Sequence, residues 1–118
     1  MSSPFFSDDL RINILINNLI SNAIRYADVQ SDIPYVHTKV TVNKEVAVIQ
    51  VIDNGIGIEE SHFPKIYNMF YRATKTSTGS GLGLYIVKEI IHKLSGSISM
   101  TSEPGVGTTF TVTVPNLY

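Results

Sequence analysis

The 118 residues of this chain suit a single domain, and 43% hydrophobic against 16% charged residues exclude a disordered tail. Nine basic and ten acidic side chains give a formal net charge of −1, which excludes the basic surface of a nucleic-acid-binding protein. There is no cysteine, so disulfides and thiolate metal sites are excluded, and no apolar run approaches the roughly 20 residues that cross a bilayer. We therefore expect one hydrophobic core, and any anion site must use backbone groups and a few cations.

Helices and pairs of strands alternate along the chain. Ser7 and the two acids after it mark a helix start, with the serine hydroxyl as the cap. The hydrophobic pattern predicts helices at residues 8–27, 59–67 and 81–94, and strands at residues 35–43, 46–52, 97–102 and 108–114. Ala73 is the one apolar residue in 72–80, which predicts a loop. This order indicates an α/β (α+β) two-layer sandwich, with a mixed, mainly antiparallel sheet and helices packed on one face.

The first helix carries a polar stripe beside its apolar face. At about 100° per residue, Asn18, Asn22 and Arg25 fall within an arc of roughly 60°. The amide oxygen of Asn22 is a suitable hard ligand for Mg²⁺, and Arg25 could pair with a phosphate. The alternative is that these groups bridge the helix to a loop inside the fold, because buried amides need partners. The helix alone favours that structural interpretation.

A first glycine loop follows an apolar strand. In Asp53-Asn54-Gly55-Ile56-Gly57-Ile58, the glycines permit positive φ and a close backbone approach to a planar ligand. A carboxylate at a strand end can accept a hydrogen bond from an exocyclic amine, as in adenine. A tight turn from strand to helix explains this short pattern equally well.

A second glycine loop, Gly79-Ser80-Gly81-Leu82-Gly83-Leu84, opens a predicted helix. Helix N-termini present unpaired N–H groups and the positive end of the helix dipole, and glycines let phosphate oxygens reach those groups. The loop lacks the Gly-Lys-Ser/Thr of a P-loop, and no strand precedes it as the dinucleotide fingerprint requires.

Four motifs occur in a fixed order along the chain. They are Asn18-x-x-x-Asn22-Ala23-x-Arg25-Tyr26, Asp53-x-Gly55-x-Gly57-Ile58, Phe63 with Phe70-Tyr71-Arg72, and Gly79-x-Gly81-Leu82-Gly83-Leu84. This set closely resembles the N box, first glycine box, F box and second glycine box of the histidine-kinase catalytic domain. The resemblance covers nearly the whole chain. It implies the Bergerat-type ATP-binding fold shared with gyrase, heat-shock chaperone and mismatch-repair ATPases, with a lid at about residues 68–80.

The resemblance implies a role for each matching residue. Asn18 and Asn22 would be catalytic, with Asn22 as a Mg²⁺ ligand and Asn18 supporting phosphate or metal. Tyr26 would lie against adenine, Asp53 would bind its amine, and Thr109 would help to fix a water near Asp53. The remaining ATP-binding positions would be Arg25, Gly55, Gly57, Ile58, Arg72, Gly79, Gly81, Leu82 and Gly83.

Asn18 stands where the hydrolytic ATPases of this group have a glutamate, and an amide cannot act as a general base. The resemblance therefore implies phosphoryl transfer from Mg-ATP to a histidine rather than hydrolysis. That histidine would lie on a separate dimerisation domain of a sensor kinase that serves a response regulator. A nucleotide-binding module without transfer and a serine kinase of the anti-sigma-factor type are the alternatives.

We expect residues 1–118 to form one catalytic domain, monomeric in isolation and cytoplasmic, and the parent protein could be anchored in the cell membrane. The dimerisation and sensor domains would lie outside this sequence. We expect no nucleic-acid partner and no membrane segment in this part of the parent protein.

Overall fold

Two helices pack on one face of a four-stranded sheet in the computed structural model, which describes residues 7–27, 33–71 and 82–117. The helices are α1 (Asp9–Arg25) and α2 (Gly83–Lys93), and a 3₁₀ helix covers Glu60–Lys65. The strands are β1 (Val36–Val42), β2 (Val46–Asp53), β3 (Ser97–Glu103) and β4 (Gly107–Pro115). The predicted two-layer sandwich is confirmed.

The strand order is β1-β2-β4-β3, and each neighbouring pair among the described strands is antiparallel. Burial alternates along β2 and β4, because successive side chains point to opposite faces of a sheet. The helix-facing residues of β2 end at Asp53, which is in register with Thr108 near the start of β4. This alternation decides which polar side chains reach the helical layer.

Helix α1 begins one residue later than the serine cap predicted. Asp8 is the cap: its carboxylate accepts from the Arg11 backbone N–H at 3.0 Å and pairs with Arg11 Nη1 at 2.9 Å. The hydrogen bond from the Arg11 backbone is the main reason that the pKa of Asp8 lies below its usual 3.8. Ser7 was the wrong choice because a hydroxyl could not pair with the Arg11 guanidinium as the carboxylate does.

The core lies between the sheet and the two helices. Leu15 and Leu19 of α1, Val87 of α2 and Phe110 of β4 are at most 1% exposed. Full burial of such side chains stabilises the fold by about 1.5–3 kcal/mol each. The buried face of α1 continues into Asn22, so the polar stripe enters the packed interior.

Candidate functional site

Asp53 places a buried carboxylate at the end of β2. It is 7% exposed, and its Oδ1 accepts a hydrogen bond from the Gly55 backbone N–H at 2.8 Å. Burial raises the pKa of Asp53 above its usual 3.8, while hydrogen bonds from the backbone of Gly55 and Thr108 act in the opposite direction. A carboxylate with a raised pKa beside the helical layer is a typical feature of a ligand site.

The first glycine loop fits between the end of α1 and the β3–β4 turn. A Cβ at Gly55 would lie 2.2 Å from the Tyr26 carbonyl oxygen, which also accepts from the Ile56 N–H at 2.9 Å. Gly57 has a φ of +76°, and a Cβ there would lie 2.3 Å from the Glu103 carbonyl oxygen. Both positions therefore require glycine, and the loop connects Asp53 to the last turn of α1.

The start of α2 faces the polar stripe of α1. A Cβ at Gly83 would lie 3.2 Å from Arg25 Nη2 and 3.3 Å from Asn18 Oδ1. Asn18 donates from Nδ2 to the Ile14 carbonyl oxygen at 2.8 Å, so its Oδ1 is the atom turned toward α2. Two motifs separated by more than 50 residues in sequence thus meet at one helix N-terminus.

A pocket of about 280 Å³ lies between the end of α1 and the first glycine loop. Tyr26, Gly57 and Ile58 line it together with His62 from the 3₁₀ helix. Gly55 links this group to Asp53, since a Cβ there would lie 3.0 Å from Asp53 Oδ1. The described part of the chain therefore brings both glycine motifs against α1.

Thr109 lies one residue after the threonine that is in register with Asp53. Thr109 is in register with Ile52, so its side chain points away from the helix-facing side that carries Asp53. The threonine on the same side as Asp53 is Thr108, which is 5% exposed. The two adjacent threonines could be distinguished only with the strand register, and a one-residue shift changes the face.

Ser102 is a site residue that the sequence interpretation missed. Its Oγ accepts from the Ile58 backbone N–H at 2.7 Å and lies 2.7 Å from Thr108 Oγ1. One serine among the hydroxyl residues of β3 carries no sequence signal, except that its even spacing from Ile98 and Met100 places it on their face.

Three predicted ATP-binding residues, Arg72, Gly79 and Gly81, lie outside the described residues, as does most of the predicted lid. Leu82 is described as the residue that precedes α2. Within residues 7–27, 33–71 and 82–117, no cluster of three His, Cys, Asp or Glu side chains could hold a metal ion. None of the helices in those same ranges is long and apolar enough to span a bilayer.

The fold and the site define a domain of one ATPase class. The family model described as "Histidine kinase-, DNA gyrase B-, and HSP90-like ATPase" matches residues 7–117, so the chain belongs to this family. Its curated relatives are sensor kinases, and the chain is an ATP-binding catalytic domain of the sensor histidine kinase type. The family predicted from the four motifs is thereby confirmed.

Two relatives and two solved structures illustrate the similarity. The chain is 38% identical over 113 residues to the probable C4-dicarboxylate sensor kinase of Bacillus subtilis, with 95% of this chain and 21% of that protein covered. It is 41% identical over 115 residues to the autoinducer 2 sensor kinase/phosphatase LuxQ of Vibrio cholerae, with 92% and 13% covered. The chain thus spans about a fifth or less of these relatives' length.

The solved structures support the fold. The mycobacterial sensor histidine kinase MprB aligns with a TM-score of 0.79 at 22% identity, covering 95% of this chain and 76% of that one. Full-length ShkA in complex with AMPPNP aligns with a TM-score of 0.80 at 22% identity, covering 95% and 23%. The architecture is therefore that of histidine kinase ATPase domains.

Proposed function

We propose that this domain binds Mg-ATP and transfers the γ-phosphate to a histidine on a separate dimerisation domain of its parent kinase. The main support is the meeting of Asn18, Arg25 and Gly83, because it puts a cation and an amide oxygen beside the N-terminus of α2. An anionic triphosphate suits that environment. A response regulator would be the next acceptor of the phosphate.

The proposed base site lies where the first glycine loop meets the end of α1. Asp53 accepts a hydrogen bond from the adenine amine, and Tyr26 lies against the ring. Gly55, Gly57 and Ile58 shape the pocket, since the two glycines admit the close backbone contacts described above. The N–H groups at the start of α2, with Leu82 and Gly83, bind phosphate oxygens, and Arg25 pairs with their charge.

The amide oxygens that α1 supplies are suitable ligands for Mg²⁺. Asn22 is buried on the site face of α1, and Asn18 turns its oxygen, not its NH₂, toward α2. Asn22 would hold the ion, Asn18 would hold one of its waters, and phosphates and water would supply the remaining ligands. When bound, Mg²⁺ supplies charge neutralisation at the phosphate oxygens. Arg72, Gly79 and Gly81 complete the proposed phosphate site.

Phosphorylation of the parent protein with radiolabelled ATP tests this proposal. Asn22→Ala should lower the yield of acid-labile phosphohistidine by about 100-fold, within the range for lost transition-state stabilisation. Asn17→Ala is the matched control, because Asn17 is an exposed amide on the same helix and its loss should leave transfer unchanged. Thermal unfolding of both variants verifies that each is folded.

Other products would contradict the proposal in distinct ways. Acid-stable phosphoserine on a partner would indicate a serine kinase, and binding without transfer would indicate a nucleotide-binding module. Full phosphohistidine in Asn22→Ala would exclude the proposed role of that amide.

We also propose that the isolated domain is a monomer of the cytoplasm, where its substrate ATP is available.

A further inference from the structure

Ser102, next to the last residue of β3, connects two segments that flank Asp53. Its Oγ accepts from the Ile58 N–H at 2.7 Å and lies 3.1 Å from the Gly107 carbonyl oxygen and 2.7 Å from Thr108 Oγ1. Ile58 follows the first glycine loop, whereas Gly107 and Thr108 begin β4. One hydroxyl therefore joins the loop after Asp53 to the strand that pairs with Asp53.

The hydrogen count at Ser102 fixes the direction of its contacts. A serine hydroxyl has one hydrogen and two lone pairs, and the Ile58 N–H occupies one lone pair. Ser102 donates its hydrogen to the Gly107 carbonyl oxygen, so its second lone pair accepts from the Thr108 hydroxyl. Thr108 is then left with lone pairs for a ligand or a water.

We propose that Ser102 is a positioning residue for base recognition, which holds Ile58 and Thr108 on either side of Asp53 and sets the hydrogen-bond polarity of Thr108. This inference rests on the proposed nucleotide site. Adenine has a donor amine next to an acceptor nitrogen, N1. Asp53 accepts from the amine, and Thr108 accepts from a water that donates its other hydrogen to N1.

Calorimetric titration of the 118-residue chain with Mg-ATP and with the Mg complex of 1-deaza-ATP tests the inference. 1-Deaza-ATP keeps the amine but lacks N1. Ser102→Ala should weaken ATP binding about tenfold, the scale of one or two lost hydrogen bonds, with unchanged stoichiometry. The same substitution should change 1-deaza-ATP binding by less than about twofold, because no N1 is present to accept.

Matched variants separate this role from a general effect on the fold. Ser99→Ala makes the same change at an exposed position on the opposite face of β3 and should leave both affinities unchanged. Ser102→Thr retains the hydroxyl and should restore ATP binding. Thr108→Val is nearly isosteric and should give the same nucleotide-specific loss, which keeps the inference testable if Ser102→Ala does not fold.

Each remaining result is decisive. Unchanged ATP affinity in both Ser102→Ala and Thr108→Val would overturn the inference while leaving the proposed function intact. Equal losses for the two nucleotides would also overturn it, because they would show that Ser102 only supports the fold. Failure of the unaltered chain to bind either nucleotide would overturn the proposed function and this inference with it.

Discussion

The buried carboxylate of Asp53 has opposite effects on the stability of the fold and on the proposed binding of adenine. Because burial raises its pKa, the folded chain holds the carboxyl proton more tightly than the unfolded chain does. Its contribution to stability is therefore fully present below pH 3.8 and is lost as pH rises through the folded-state pKa. Above the folded-state pKa the ionised side chain destabilises the fold, and a ligand that donates a hydrogen bond to the carboxylate would partly offset this loss of stability.

Asp53→Asn should therefore separate stability from binding. The amide keeps an acceptor for the Gly55 N–H without a buried charge, so we expect a higher midpoint of thermal unfolding at pH 7. Its NH₂ would face the adenine amine, and Mg-ATP affinity should fall about 100-fold. The stability gain should shrink in acid, where Asp53 itself is protonated. A less stable variant at pH 7, or unchanged ATP affinity, would contradict this account.

The sequence made some of these residues predictable and others not. Asp53 could be assigned because it directly follows an apolar strand and precedes two glycines. Thr108 could not be separated from Thr109, because the choice depends on pairing with a strand more than 50 residues away. Ser102 was missed because its role consists of three hydrogen bonds, one of them from the backbone of Ile58, 44 residues away in sequence.

At the scale of the elements, the contact between α1 and α2 is the centre of the proposed site. Helix α1 ends at Arg25 against the first glycine loop, and α2 begins at Gly83 beside the side chains of Arg25 and Asn18. Both helices pack through their apolar faces, so the polar groups at their ends are positioned by the core. The predicted helix bounds agree within about two residues, the usual uncertainty at helix ends.

Two glycine substitutions distinguish a binding contact from a structural one. In Gly83→Ala the new Cβ meets the flexible end of Arg25, so the free energy of unfolding should change by less than about 0.5 kcal/mol. The methyl group would nevertheless enter the space between Arg25 and Asn18, and Mg-ATP affinity should fall about fivefold.

In Gly55→Ala the new Cβ would lie 2.2 Å from the Tyr26 carbonyl oxygen, which is backbone and cannot move cheaply. The free energy of unfolding should fall by about 3 kcal/mol, because overpacking forces the backbone to shift. Urea unfolding and calorimetric titration measure the two quantities for both variants. Similar stability losses in Gly55→Ala and Gly83→Ala would show that the two contacts were misassigned.

At the scale of the whole molecule, local pattern predicted the layers but not their assembly. Alternating β-branched residues predicted β2 and β4, and the 3.6-residue period predicted α1 and α2. The antiparallel order β1-β2-β4-β3 depends on pairing between segments far apart in sequence, which periodicity cannot report. The family resemblance implied the layered ATP-binding fold, because it relates the order of the motifs to one known fold, but we predicted no strand order from it.

The identity of residue 18 should determine what the domain does with ATP. Asn18 turns an amide oxygen toward α2, and an amide cannot remove a proton from water. We therefore expect the isolated chain to bind Mg-ATP and hydrolyse it very slowly. Asn18→Glu supplies a carboxylate and should raise steady-state hydrolysis by about 100-fold, the lower range for a positioned general base.

Asn17→Glu is the control for this experiment, since it adds the same charge at an exposed neighbouring position on α1 and should leave hydrolysis unchanged. Phosphate release from excess ATP measures the rate in all three proteins. If the unaltered chain hydrolysed ATP as fast as Asn18→Glu, water activation would not depend on residue 18. The proposed preference for transfer to a histidine would then lose its physical basis, because the site would already activate the competing nucleophile.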